Sequence, residues 1–267
     1  MARETQTEEQ AGNSPREISG NNPDERYSRQ ILFRGIGAEG QRRLAAARVA
    51  IAGCGATGSA LAGLLARAGV GTLRIIDRDY VEPSNLQRQS LFDERDAAES
   101  LPKAIAAARK IAAFNSAIVI EPKVEDLVPA NIEALLEGMS LVLDGTDNFE
   151  TRYLINDYAV ERSLPWIYSA AVGSYAVTLN ILPGETACLA CIFPDSPRGM
   201  VETCETSGIL NSAVNLVASV AAIDATRFTA EFRIPEVSQV STIPRGESGK
   251  MQARQAVSPG RMFNVTA

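Results

Sequence analysis

Three glycines at fixed spacing are the residues of this sequence most suggestive of chemistry. Gly53, Gly55 and Gly58 spell G-x-G-x-x-G, and a short apolar run precedes them. In this pattern the first glycine permits a tight turn, the second lets a phosphate approach the backbone, and the third lets a helix pack on a strand. The helix that follows offers unpaired N–H groups and a positive dipole end to an anion. The spacing therefore predicts a nucleotide phosphate site.

The segments around these glycines predict a strand–helix–strand unit. We expect a buried strand over Val49 to Ala52, a helix over Ser59 to Ala68 and a second strand over Leu73 to Ile76. The second strand runs into Asp77, at the distance where dinucleotide-binding units place the acid that holds a ribose hydroxyl. A glycine turn that only packs a helix on a strand is the alternative, and it leaves Asp77 unexplained.

The loop after the second strand is rich in polar donors. It reads RDYVEPSNLQRQ, and its turn-forming residues place amide and guanidinium groups just beyond the carboxyl end of that strand. Ligands of open α/β sheets bind at that edge, so we expect nucleotide contacts here, with an ordinary polar loop as the alternative. The candidate residues are Asp79, Ser84, Asn85, Leu86, Gln87 and Arg88, with Gln89 beside them.

Further charged residues occur at two other predicted element ends. Lys103 lies in the first turn of a predicted helix, where a cation is unfavourable unless an anion is near it. Asp144 and Asp147 follow the buried run SLVLD, and two acids at a strand end suggest Mg²⁺ or ribose contacts. Asp147 or Asn148 could instead cap the next helix, which we predict over Phe149 to Ser163.

The chain has four cysteines and no histidine. Cys188 and Cys191 form a C-x-x-C pair, a spacing typical of zinc ligands and of redox-active thiols. The lack of histidine removes the commonest general base and the commonest metal ligand. Any mechanism for this chain must therefore work without an imidazole.

Composition indicates an acidic globular protein. The 267 residues are 45% hydrophobic and carry a net charge of −6, which supports a substantial core and disfavours general nucleic-acid binding by charge. No N-terminal run resembles a signal peptide, and polar residues interrupt the late apolar stretch Gly208 to Ala225. We therefore expect a cytosolic (cytoplasmic) protein without a membrane span.

The order of the predicted elements indicates the fold class. Strands and helices alternate up to Ala170, and a strand over Tyr175 to Leu182 then follows without an intervening helix. This order predicts an α/β fold, with a Rossmann-like, mostly parallel, helix-covered sheet extended by antiparallel strands in the C-terminal half. We expect one nucleotide-binding domain over residues 25–232, a disordered tail over 1–24 and a weakly ordered tail over 233–267.

Together these segments resemble the ubiquitin-activating-type adenylyltransferases (ThiF/MoeB/HesA-like), which activate the sulfur-carrier proteins of molybdopterin and thiamine biosynthesis. The matching motifs occur in family order over about residues 26–230: RYSRQ, GCGATG, DRDYVEPSNLQRQ, PK, DGTDN, CLAC and TCETSGIL. The resemblance implies that ATP binds on the glycine turn. The C-terminal Gly-Gly carboxylate of a ubiquitin-like carrier then attacks the α-phosphate, so that an acyl-adenylate forms and pyrophosphate leaves.

The resemblance also assigns roles to single residues. Asp77 matches the family's ribose-binding acid, and Asp147 matches the acid associated with Mg²⁺. Arg29 matches an arginine that reaches the partner subunit's ATP, which implies a two-fold homodimer. Cys204 matches a cysteine that forms a covalent sulfur link to the carrier in some members and is dispensable in others. The implied nucleotide site comprises Gly53, Gly55, Ala56, Gly58, Asn85, Arg88, Lys103 and Asn148, the family's phosphate contacts being Asn85, Arg88 and Lys103.

Three features depart from the family pattern. The turn usually reads G-x-G-G-x-G, and here Ala56 places a methyl group near the phosphates, which weakens that contact. Zinc-binding members carry two C-x-x-C pairs, whereas Cys188 and Cys191 form one incomplete pair. The segment after Ile209 lacks the usual glycines and the C-terminal tail matches poorly. A different mode of carrier recognition and a degenerate or non-catalytic relative therefore stay open.

Two other functions share part of these motifs. A transfer-RNA-modifying adenylating dehydratase belongs to the same superfamily, but the acidic balance and the lack of a basic tail argue against it, and we expect no nucleic-acid partner. An NAD-dependent oxidoreductase would share the glycine turn and Asp77. That alternative leaves Arg88, Lys103 and Asp147 without a role.

We predict that the isolated chain binds zinc weakly or not at all. A structural zinc ion takes about four protein ligands, and the sequence offers one C-x-x-C pair, no histidine and Cys204 as a possible third thiolate. Metal analysis of purified, chelator-washed protein checks this, and we expect substoichiometric zinc. One zinc ion per chain in that sample would overturn the prediction.

Overall fold

The computed structural model describes residues 23–194, 204–231 and 260–264. Its strands are β1 (Arg48–Ala52), β2 (Thr72–Ile76), β3 (Val119–Lys123), β4 (Leu141–Asp144), β5 (Trp166–Val172), β6 (Tyr175–Ile181) and β7 (Gly260–Asn264). They form one sheet in the order β3-β2-β1-β4-β5-β6-β7. Pairing is parallel from β3 through β5, and antiparallel between β5 and β6 and between β6 and β7. The predicted fold class is confirmed.

Helices connect and cover the strands. They are α1 (Pro23–Arg26), α2 (Ser28–Ile31), α3 (Gly37–Ala46), α4 (Ala56–Ala68), α5 (Glu94–Ala98), α6 (Lys103–Phe114), α7 (Ile132–Leu136), α8 (Phe149–Arg162), α9 (Leu189–Ile192), α10 (Cys204–Ser207) and α11 (Asn211–Ala230), with a 3-10 turn over Pro83–Asn85. A search of these described helices finds none with the length and apolarity that crossing a bilayer requires.

Part of the predicted C-terminal tail is a strand. Gly260–Asn264, inside the segment expected to be weakly ordered, pairs with β6 as β7. A sheet edge offers unpaired backbone donors and acceptors to any extended segment, so a composition poor in core residues does not prevent this pairing. The rest of that tail, and residues 1–22 of the predicted N-terminal tail, lie outside the described residues.

The apolar core lies on both faces of the sheet. Alternate residues of β1 divide between the faces, with Val49 and Ile51 in one buried cluster and Ala50 and Ala52 in the other. The first cluster includes residues of α4, α6 and α11, and the second includes residues of α7 and α8. A strand buried on both faces reads as a continuous apolar run, which is why β1 and β4 are recognisable in the sequence.

The strand order reverses between β1 and β4, and the backbones that leave these two strands touch. A Cβ atom added to Gly58 would lie 1.9 Å from the carbonyl oxygen of Gly53, and one added to Gly145 would lie 2.5 Å from the same oxygen. Gly53 itself has φ +83°, in the left-handed region that favours glycine. By contrast, a Cβ on Gly55 would meet nothing closer than 3.9 Å. Gly53, Gly58 and Gly145 are thus required by packing, and Gly55 is not.

This difference predicts unequal losses of stability for two alanine substitutions. Gly58→Ala forces a methyl group into the Gly53 carbonyl, so we expect a loss of about 3 kcal/mol. For a domain of this size, that is a fall in Tm of roughly 6–12 °C. Gly55→Ala, at the N-cap of α4, should cost at most about 1 kcal/mol. Thermal unfolding followed by circular dichroism checks both, and equal losses in the two variants would contradict the packing argument.

Candidate functional site

The structure gathers most of the predicted site residues at one edge of the sheet. The glycine turn follows β1, Asp77 follows β2, and the loop with Asp147 follows β4. These three strands are neighbours and end at the same side. The edge includes the point between β1 and β4 where the strand order reverses, which is where open α/β sheets bind their ligands.

The glycine turn leaves an open approach to the start of α4. Gly55 is the N-cap of this helix, and no side chain caps it. Unpaired N–H groups of a first helical turn attract anions, and the space beside Gly55 allows a ligand to approach the backbone. Ala56, the first residue of the helix, is only partly buried, so its methyl group lies at this approach rather than in the core.

Asp77 joins the glycine turn to the loop after β2. Its carboxylate accepts hydrogen bonds from the backbone N–H of Cys54 at 2.6 Å and of Asp79 at 2.7 Å. Burial raises the pKa of Asp77, although Lys103 and these two N–H groups favour its ionised form. Burial also raises the pKa of the Cys54 thiol, which therefore stays protonated. The ribose role of Asp77 stays a prediction, with its carboxylate beside the turn as that role requires.

Lys103 has the neighbouring anion that its position at a helix start requires. Its buried ammonium group donates to the Asp79 carboxylate at 3.1 Å, and its backbone N–H donates to the Asp79 carbonyl at 2.8 Å. The side chain of Asp79 is 59% exposed. The Asp79 carboxylate is thus an anion beside Lys103 that the protein itself supplies. The Lys103–Asp79 pair lies next to Asp77 at the crevice.

The polar loop is shaped by its own side chains. Asn85 is buried and completes a reciprocal capping interaction that closes the 3-10 turn. The Arg88 guanidinium donates to the Ser84 carbonyl at 3.0 Å and is partly exposed. Leu86 packs against the core, whereas Gln87 is exposed. The turn thus fixes the position of the Arg88 guanidinium while leaving part of it exposed.

Gln89 lies in the polar loop, and no individual role follows for it from the sequence. It is 3% exposed, and its side-chain carbonyl has no hydrogen-bond partner in the described part of the chain. Its amide nitrogen lies 4.0 Å from where a Cβ on Gly55 would be. A buried carbonyl without a partner costs about 1–3 kcal/mol, so Gln89 is suited to contact a ligand or water beside the glycine turn. The sequence signal that could have identified Gln89 was its position among the polar residues of this loop.

Asp144 does not take the ligand role suggested for it. It is fully buried, pairs with Arg152 at 3.0 Å and accepts from the N–H and hydroxyl of Thr146 at 2.8 and 2.6 Å. The prediction of Mg²⁺ or ribose contacts is therefore wrong for Asp144, because its oxygens are committed inside the protein.

Arg152 holds the loop that carries Asp147. It donates to the Thr146 carbonyl at 2.6 Å, and its guanidinium lies 5.1 Å from the Tyr168 ring centre and 5.4 Å from that of Phe149. Removing one partner of a buried ion pair leaves an uncompensated charge. In the sequence, this arginine lies four residues after the DGTDN motif, without a role of its own.

Asp147 is left as the exposed acid at the end of β4. Asn148 caps α8 by accepting from the Thr151 N–H at 2.8 Å, which confirms the helix-cap alternative for Asn148. The described residues hold no cluster of three acids, cysteines or histidines suited to a metal ion. A site for Mg²⁺ would therefore rest on Asp147 and on oxygens of the ligand, which is how Mg²⁺ usually binds nucleotides.

The predicted residue Arg29 does not lie at this crevice. Exposed Arg29 lies on α2, whose Gln30 donates to the Ala68 carbonyl at 2.8 Å, at the far end of α4. A helix of 13 residues is about 20 Å long, so Arg29 is well separated from its own glycine turn. Cys204 begins α10, and its side chain lies outside the described residues.

The C-x-x-C pair lies on α9 and at its start, and this short helix contacts α8. The sulfurs of Cys188 and Cys191 are 3.2 Å apart. Burial opposes ionisation of Cys188, but hydrogen bonds from the Cys191 thiol, from the backbone N–H groups of Cys191 and Ala190 and from the Asn156 side chain outweigh it and lower its pKa.

Comparison with known proteins finds relatives over most of the chain. The ThiF family pattern matches residues 27–259. The sulfur carrier protein ThiS adenylyltransferase of Bacillus subtilis is 48% identical over 200 residues, which are 75% of this chain and 59% of that protein. The SAMP-activating enzyme E1 of Haloferax volcanii is 35% identical over 202 residues, which are 75% of this chain and 74% of that protein. The chain thus spans 59% of the length of the Bacillus relative.

Solved structures also match most of this chain. A crystal structure of E. coli MccB with ATP matches with a TM-score of 0.69 and 27% identity, covering 82% of this chain and 67% of that one. The ThiF pattern covers the glycine turn, the polar loop, Lys103 and the loop of Asp147 in one continuous match. With this fold and this crevice, the chain belongs to the ThiF family.

Proposed function

We propose that this chain is an ATP-dependent adenylyltransferase. It activates the C-terminal glycine carboxylate of a ubiquitin-like sulfur-carrier protein, of the kind used in thiamine or molybdenum cofactor biosynthesis. One relative is named a sulfur carrier protein ThiS adenylyltransferase, and another is named a SAMP-activating enzyme E1. Their names support the proposal, and the site supplies its physical basis.

The observation that carries the proposal is the glycine turn. Packing explains Gly53 and Gly58, but it leaves Gly55 without a structural reason, because a Cβ there would meet nothing closer than 3.9 Å. A ligand that approaches the backbone at Gly55 supplies that reason. The uncapped start of α4 favours an anion, and the triphosphate of ATP fits this position.

The reaction needs charge neutralisation rather than a base. A carboxylate oxygen of the carrier attacks the α-phosphorus, the bond between the α- and β-phosphates breaks, and pyrophosphate takes the electron pair. The attacking carboxylate is already ionised at neutral pH, so the absence of histidine is no obstacle. Arg88 and Lys103 stabilise the negative charge that develops on the phosphates and on the leaving pyrophosphate.

Asp147 would hold Mg²⁺ together with phosphate oxygens of ATP, and the ion would neutralise phosphate charge there. Asp147 suits this role because it is exposed at the end of β4, while Arg152 and Asp144 fix the loop beneath it. One carboxylate plus substrate phosphates is an ordinary set of Mg²⁺ ligands.

The active form in this proposal is a two-fold homodimer. Arg29 lies near the far end of α4 from its own glycine turn, so it cannot neutralise phosphate in its own subunit. An arginine supplied by a partner subunit brings a planar fork of donors to the phosphates. A two-fold axis lets each subunit complete the other's site.

Alanine at Arg88, Lys103 or Asp147 should each lower pyrophosphate exchange by about a hundredfold, the usual loss for one transition-state electrostatic contact. Exchange is measured with each candidate carrier from the same genome. Matched controls remove a charge of the same sign elsewhere in the fold: Arg95→Ala on α5, Lys110→Ala on the same helix as Lys103, and Glu133→Ala on α7. These controls should stay within about twofold of the wild type.

Several outcomes would contradict this assignment. Unchanged exchange in Asp147→Ala would remove the Mg²⁺ role, and equal losses in the controls would indicate a general effect on the fold. Thermal stabilisation by NAD but not by ATP with Mg²⁺ would favour the oxidoreductase. ATP-dependent modification of transfer RNA without carrier-dependent exchange would favour the dehydratase.

The shared site can be tested by mixing two inactive variants. An Arg29→Ala subunit paired with an Asp147→Ala subunit forms one intact site and one doubly altered site. Random pairing makes about half of the dimers mixed, so we expect roughly a quarter of wild-type exchange to return. If both residues acted within one subunit, each site would keep one lesion. No recovery of activity, with subunit exchange confirmed by native mass spectrometry, would refute the trans arginine.

A further inference from the structure

Cys188 and Cys191 are arranged for a bond between them. Residues three apart on a helical turn lie on the same side, and the Cys191 N–H closes the turn by donating to the Cys188 carbonyl at 3.1 Å. The two sulfurs are 3.2 Å apart, roughly an ångström beyond the disulfide bond length of about 2.05 Å. Cys191 is exposed and Cys188 is partly buried. Little movement would therefore join them.

The described surroundings of this pair do not offer zinc a full set of ligands. A structural zinc ion takes about four nitrogen or sulfur ligands, and the chain has four cysteines and no histidine. Cys54 is fully buried in the apolar cluster on the other face of the sheet from the one that Cys188 packs against. Within the described residues, no third cysteine or carboxylate joins the pair in a metal-binding group. Among the described side chains, the two thiols thus have no further ligand that would commit them to a metal.

The surroundings hold the pair in place. Asn156 of α8 is 2% exposed and accepts a hydrogen bond from the Leu189 N–H at 2.8 Å, next to Cys188 in the chain. The Tyr153 hydroxyl donates to the Phe193 carbonyl at 2.6 Å, just beyond α9. Both ends of the short helix are thereby tied to α8, which fixes the positions of the two cysteines.

We propose that Cys188 and Cys191 are a reversible dithiol–disulfide pair that exchanges with low-molecular-weight disulfides. The Cys191 thiolate attacks one sulfur of the reagent, RSSR, forming a mixed disulfide and releasing RS⁻. The Cys188 thiolate then attacks the Cys191 sulfur, forming the Cys188–Cys191 bond and releasing a second RS⁻. The protein pair loses two electrons and two protons, and the reagent gains them as two RSH molecules.

The test is a redox titration of the full chain with glutathione. Reduced, chelator-washed protein is equilibrated without oxygen at increasing ratios of oxidised to reduced glutathione, quenched with acid and treated with a maleimide. Peptide mass spectrometry then follows each cysteine. We expect Cys188 and Cys191 to lose maleimide labelling in one shared transition, with loss of two hydrogens and no glutathione adduct. Dithiothreitol should reverse it.

Matched variants separate this pair from other thiol chemistry. In Cys188→Ser the second step is blocked, so glutathione-modified Cys191 should be at least about tenfold more abundant than in the wild type, because the intramolecular step is lost. Cys188→Ala repeats the test if the serine variant unfolds. Cys204→Ser should leave the transition unchanged, and Cys54, protected in the core, should remain reduced throughout.

Three results would overturn the proposal. One is a stable glutathione adduct on wild-type Cys191 without ring closure. Another is a link from either thiol to Cys204 in place of the Cys188–Cys191 bond. The third is stoichiometric zinc that survives chelation and leaves both thiols unreactive at every glutathione ratio.

Discussion

The contact between the backbones that leave β1 and β4 is the constraint on which the crevice depends. Gly53, Gly58 and Gly145 lie so close that none of them has room for a Cβ atom. This contact brings the start of α4 against the loop after β4. The backbone amide groups at the start of α4 and the exposed carboxylate of Asp147 thereby lie at the same crevice. The shape of the crevice follows from packing before any ligand is present.

Around this contact, the protein uses its buried charges to hold loops and leaves others facing outward. Asp77 and Asp144 are both buried, and their oxygens accept hydrogen bonds from the chain itself. Asp147 and Arg88 retain exposed surface. Buried carboxylates that are hydrogen-bonded fix backbone at little net cost. The buried acids thus shape the loops, while Asp147 and Arg88 keep charge at the surface of the crevice.

Much of the fold could be predicted from local patterns, since doubly buried strands such as β1 and β4 are apolar runs and α4 follows its glycines directly. Asp77 and Lys103 were also recognisable, because their positions relative to a strand end or helix start carry chemical meaning. The structural role of Asp144 was not recognisable. Its ion pair with Arg152 forms only in the folded chain, and the sequence does not distinguish a buried acid from an exposed one. The strand β7 was missed because its pairing is provided by the edge of β6 rather than by its own composition.

The pairing of β1 with β4 also sets the order in which the molecule can assemble. Val49 lies opposite Leu141, and β2, β3 and the helices between them separate the two strands along the chain. Such long-range pairing closes a large loop and forms slowly compared with local structure. During synthesis, the glycine turn leaves the ribosome well before Gly145. An early β1–β2–β3 unit therefore has the turn but lacks the side of the crevice that the loop after β4 forms. A nucleotide that requires both sides would bind only chains in which β4 has docked, and would favour completion of folding.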